Sequence, residues 1–154
     1  MSEETIFLPS DLAGTKRLAF LQAAREGFAR IRDKDGTSLV ALPESQVRGL
    51  RLVAEWSGHL LRLQDLLTRD GQPTVSELGD LAWLRVFDGD DLREFADELH
   101  QVLIAAISDE NAEALTEAIR AWRVTAKEIE DPLRRSVLTG EFSPADLVPV
   151  ERPS

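Results

Sequence analysis

The chain has 154 residues, 43% of them hydrophobic, no cysteine and a formal net charge of −10. That length fits one domain of ordinary size, or a small folding unit with a long appendage, and either can bury a core. The missing cysteines exclude disulfides, thiolate nucleophiles and cysteine-ligated zinc or iron–sulfur sites, and no uncharged apolar run approaches the roughly eighteen residues of a membrane span.

The opening Met1, Ser2, Glu3 and Glu4 are acidic where an export signal needs positive charge, so a cytoplasmic protein is expected. Charge is unevenly spread along the chain. Residues 10–69 carry ten Lys or Arg against seven Asp or Glu, a net of +3, whereas residues 70–154 carry eight against nineteen, a net of −11. Such asymmetry suggests that the two halves face different partners, one of them anionic. Because the whole chain is acidic, contact with nucleic acid or anionic membrane must be local. Arg outnumbers Lys fifteen to three, which reads either as codon bias or as a preference for bidentate phosphate geometry.

Thr5, Ile6, Phe7 and Leu8 form a short run of strand formers closed by Pro9. Ser10 can cap a helix, and Leu18, Leu21, Ala24 and Phe28 recur at helical spacing up to Gly27, predicting one over 11–26. Period two then sets Phe28, Arg30 and Arg32 on one face and Ala29 and Ile31 on the other. Lys34, Asp35 and Gly36 supply a hairpin turn, and residues 37–42 form the returning strand, ended by Pro43. From Glu44 to about residue 69 a long helix is expected, its apolar face read as Val47, Leu50, Ala54, Ser57, Leu61, Gln64 and Leu67.

Asp70, Gly71, Gln72 and Pro73 make the clearest break, at the point where the charge changes sign. The expected organisation is therefore an N-terminal module over 1–69 and an acidic helical domain over 70–154. Thr74 and Glu77 have capping-box spacing ahead of Leu78, Leu81, Ala82 and Arg85. A second helix comes after Asp88, Gly89, Asp90 and Asp91, with Leu92, Phe95, Ala96, Leu99, Val102, Leu103 and Ile107 inward. Ser108 or Asp109 can cap a third, with Leu115, Ala118, Ile119, Trp122, Ala126 and Ile129 inward, stopped or kinked at Pro132. A short helix over 133–138 and one more turn from Ser143 and Pro144 bring the chain to its Pro-containing tail. The fold class is α+β: a strand, helix, β-hairpin and long helix, followed by an all-α domain.

Few residues carry chemistry. The Asp88 to Asp91 cluster lacks the further ligands and closing glutamate of a calcium loop and reads as a helix start stabilised by the helix dipole. His59 and His100 stand apart with no ligand spacing, and no phosphate loop, dinucleotide fingerprint, nucleophile elbow or zincin motif is present. No enzyme, cofactor or metal is expected. Trp56, Trp83 and Trp122 fall on three predicted helices, where they either pack the core or, for Trp83 and Trp122, anchor a partner. Lys16 and Arg17 near the first helix start, with Arg30, Arg32 and Lys34 on the hairpin, read either as a phosphate-gripping surface or as an ordinary solvated face diluted by Glu26, Asp33 and Asp35.

The stretch 6–53 resembles the N-terminal module of the Phd/YefM (prevent-host-death) antitoxin family. The resemblance is carried by Ala24, Arg25, Glu26 and Gly27 at the helix end, by Arg30, Ile31 and Arg32, by Asp35 and Gly36, by the strand Thr37, Ser38, Leu39, Val40, Ala41 and Leu42, and by Pro43 and Glu44. It implies a module that dimerises through its sheet, sets its first helices against operator DNA and represses its own operon, with a C-terminal part that neutralises a protein toxin. The acidic half would suit a basic toxin. The second reading is a helical protein-interaction or assembly module that never meets nucleic acid. The third is a small enzyme with an unrecognised carboxylate site.

Overall fold

The computed structural model describes residues 5–131 and Gly140; the helix expected over 133–138 and the turn from Ser143 and Pro144 lie outside them. The described residues form a mixed α+β, mostly helical structure with five α-helices and a small three-stranded sheet. They divide into two compact units, Met1–Ala54 and Glu55–Ser154. The division falls inside the long helix, ahead of the break at Asp70 where the sequence suggests it.

In the first unit, β1 (Ile6–Phe7) pairs in parallel with β2 (Ala29–Arg32), and β2 pairs antiparallel with β3 (Ser38–Ala41), giving the sheet order β1-β2-β3. Parallel neighbours need a crossover, and α1 (Arg17–Glu26) provides it. This helix is shorter than the expected 11–26. Pro9–Leu12 is a 3-10 turn, and Ala13, Gly14 and Thr15 stand between it and α1. Ser10 therefore sits within the turn and caps nothing; Asp11 closes it by accepting the Leu8 backbone N–H at 2.9 Å.

The hairpin is built as its sequence predicts. Gly36 N–H donates to the Asp33 carbonyl at 3.0 Å, and Gly36 holds φ 88°, a left-handed conformation that β-carbons resist. Asp33 and Asp35 take turn bonds from Lys34 N–H at 2.7 Å and Thr37 N–H at 2.8 Å. The core of this unit is small: Phe7, Phe20 and Ala29 are buried, with Leu12, Ala23, Ala24, Ile31 and Ala41 packed against them. Phe7 meets Phe20 edge to face at 5.4 Å.

Helix α2 (Glu44–Leu67) begins where Pro43 stops β3. Its buried residues are Trp56, Leu60, Leu63 and Leu66, a different stripe from the expected one. Leu50 and Leu61 are instead 67% and 69% exposed, and Gln64 is exposed. The expected stripe needed Ser57 and Gln64 to complete its spacing, whereas the observed one is apolar at every step, so its burial removes more apolar surface from water.

The second unit holds the larger core. Thr74 caps α3 (Val75–Leu78) with the expected box: Thr74 N–H donates to Glu77 Oε2 at 2.8 Å and Glu77 N–H to Thr74 Oγ1 at 3.3 Å. The next element is a 3-10 helix, Gly79–Val86, in place of the α-helix expected there. Leu78, Leu81, Leu84 and Phe87 are spaced by threes, the repeat of a 3-10 helix, and all four are buried on one side. Gly79 at φ 57° starts it, with the Arg62 guanidinium against its backbone and Arg62 Nη2 donating to the Glu77 carbonyl at 2.6 Å.

Asp88 caps α4 (Gly89–Ser108), accepting the N–H groups of Asp90 and Asp91 at 2.9 Å each, which is the helix-start role expected of that cluster. Leu92, Phe95, Ala96, Leu99, Leu103 and Ala106 are its buried face, while Ile107 is 60% exposed. Helix α4 runs through Ser108, with Asp109 at its C-cap, and Glu110 at φ 51° turns the chain. Neither Ser108 nor Asp109 therefore starts the next helix. Asn111 does that work, its Oδ1 accepting from Glu113 N–H at 2.8 Å ahead of α5 (Glu113–Glu130). Leu115, Ile119 and Ala126 bury against the core from α5.

Candidate nucleic-acid interface

Helix α1 leads through Gly27 and Phe28 directly into β2. Since β1 and β2 are parallel, α1 starts at the end of the sheet where β1 stops, and β2 runs into the Asp33–Thr37 turn at that same end. Four of the five basic candidates therefore gather at one end of the unit. Lys16 is the N-cap residue of α1, Arg17 its first residue, Arg32 the last residue of β2, and Lys34 lies in the turn. All four are exposed. Lys16 also lies 3.7 Å from the Asp11 carboxylate, and its own side chain keeps 68% exposure.

The turn is not purely cationic. Asp35 is held below the usual aspartate range, first by the hydrogen bond from the Thr37 backbone N–H and then by the Thr37 side chain. Asp35 therefore gives up its charge at a lower pH than an ordinary aspartate. Asp33 Oδ1 holds the Lys34 N–H.

Arg30 lies on the same face of β2 as Arg32, but in mid-strand instead of at the end. Alternation places Phe7, Ala29, Ile31 and Ala41 on the face covered by α1, so Ile6, Arg30 and Val40, which are paired across the strands, look outward together. Phe28, immediately before β2, shares that outer face, and the Arg30 guanidinium carbon lies 5.9 Å from the centre of its ring. Ile6, Phe28 and Val40 are 42%, 50% and 50% exposed, whereas Arg30 is only half-exposed. This apolar outer face escaped sequence reasoning, although Phe28 on the arginine side of the period-two pattern was a signal of it. Arg25 was also passed over; it is exposed on α1 alongside Leu18 and Leu21.

The two tryptophans considered as partner anchors are built into the second unit. Trp83 and Trp122 are half-buried and pack edge to face on Phe95 at 5.6 and 5.2 Å, with Trp56 on the same ring at 6.3 Å. Trp122 also meets Phe87 at 5.2 Å and donates its indole N–H to Glu98 Oε2 at 2.7 Å. The Arg123 guanidinium lies 5.5 Å from the centre of the Trp83 ring. His59 packs against Trp56 at 5.0 Å and lies 3.5 Å from Glu55 Oε1.

Among the described residues no group of three or more His, Cys, Asp or Glu is placed to hold a metal ion, and no helix is long and apolar enough to cross a membrane. An open cavity of about 270 Å³ near the end of α5 is lined by Val124, Lys127, Glu128 and Asp131. No protein-family description, no curated protein and no solved structure matches the chain.

Proposed function

We propose that the chain is an antitoxin-like transcriptional autorepressor: an N-terminal strand, helix, hairpin and long-helix module binds promoter DNA as a homodimer, and an all-α C-terminal domain neutralises a partner toxin. The observation that carries this reading is the gathering of Lys16, Arg17, Arg32 and Lys34 at the end of the sheet where α1 begins. A cationic rim of that kind meets phosphates, which fix position on DNA while carrying little sequence information. The resemblance of residues 6–53 to the Phd/YefM module supports the same reading.

Self-association is suggested by the surface that the module leaves uncovered. Its sheet buries one face under α1, and the outer face keeps Ile6, Phe28 and Val40 in water. A second copy laying the same face against the first would cover both. On the toxin side of the reading, the −11 imbalance over residues 70–154 suits a basic toxin.

Titration of the full chain against the DNA immediately upstream of its own reading frame, at about 50 and about 200 mM salt, tests the DNA arm. Affinity is expected to fall steeply with salt, and reversing Lys16, Arg17, Arg32 and Lys34 together to glutamate is expected to abolish binding. Unchanged binding by that variant would contradict the assignment. The toxin arm is tested by capture from the native host, where a basic product of the neighbouring gene is the expected partner. The second reading, an interaction module indifferent to nucleic acid, is favoured by the Asp33 and Asp35 carboxylates held in the turn on either side of Lys34. It predicts no salt-dependent shift of the promoter fragment at all.

A further inference from the structure

We draw no further inference here: the strongest candidate, the apolar stripe along α2 on which Leu50 and Leu61 stay 67% and 69% exposed, is an unpartnered helix face, and nothing in the structure shows what covers it.

Discussion

Phe20 on α1 and Phe95 on α4 occupy similar places, each an aromatic in mid-helix turned toward its unit's interior, but their company differs. Among the described residues Phe20 has one ring neighbour, Phe7, and is 7% exposed. Phe95 has three, Trp56, Trp83 and Trp122, and is 2% exposed, within a set of fully enclosed leucines that includes Leu63, Leu78, Leu81, Leu84, Leu92 and Leu115. The helical unit closes a core from its own residues. Among the described residues the sheet unit covers one face with α1, while Ile6, Phe28 and Val40 on the other stay 42%, 50% and 50% exposed.

The largest expected effect that sharpens this contrast is at Phe95. Phe95→Ala should cost about 3–5 kcal/mol by denaturant unfolding, because it strips the shared neighbour of three tryptophans. Phe28→Ala, at the half-exposed outer face of the sheet, should change folding by no more than about 0.5 kcal/mol in the monomer and act on self-association instead. Equal costs at the two positions would break the comparison.

Gly79→Ala comes next, at about 1–2 kcal/mol, since φ 57° disfavours any β-carbon and the new methyl would lie 2.7 Å from Arg62 Nη2, displacing its bond to the Glu77 carbonyl. A double substitution with Arg62→Ala separates the two contributions. Asp88→Ala should cost about 1 kcal/mol by removing the acceptor for the Asp90 and Asp91 N–H groups, read as a lowered denaturation midpoint.

The smallest effect is at Glu77. Hydrogen bonds from the Thr74 backbone N–H and then its hydroxyl hold the Glu77 carboxyl below the ordinary value of 4.5. A depressed folded value means that its contribution is present above the unfolded value and disappears as pH falls through the folded one. Unfolding midpoints compared at about pH 6 and about pH 3 should therefore drop slightly less in Glu77→Gln than in the parent chain.

Much of the secondary structure was readable because local chemistry and packing agree. Asp35 and Gly36 made the hairpin turn, Thr74 and Glu77 made a capping box, and Asp88 capped α4, each through backbone hydrogen bonds that depend only on nearby residues. Misreadings occurred where two patterns competed. Helix α2 carries two apolar stripes, and periodicity alone does not choose between Leu50 with Leu61 and Trp56 with Leu60, Leu63 and Leu66. Tertiary contacts choose, and the polar interruptions at Ser57 and Gln64 were the available signal. The 3-10 helix Gly79–Val86 was hidden because Leu78, Leu81 and Leu84 satisfy both a 3.0 and a 3.6 repeat over so short a span.

The basic candidates were found as residue types, but their grouping required the sheet register. The pairing of Ile6 and Val40 with Arg30 shows that the face shared by Arg30 and Arg32 is apolar at its middle. The hairpin turn fixes the β2–β3 register locally, whereas the parallel β1–β2 register depends on which strands meet across the α1 crossover.

The most direct test of the contrast between a self-sufficient helical unit and an incompletely covered sheet unit is amide hydrogen exchange on the full chain over a wide concentration range. Protection of β2 and β3 is expected to rise with concentration while that of the core positions of α4 and α5 stays constant. Protection independent of concentration throughout the chain would contradict the account.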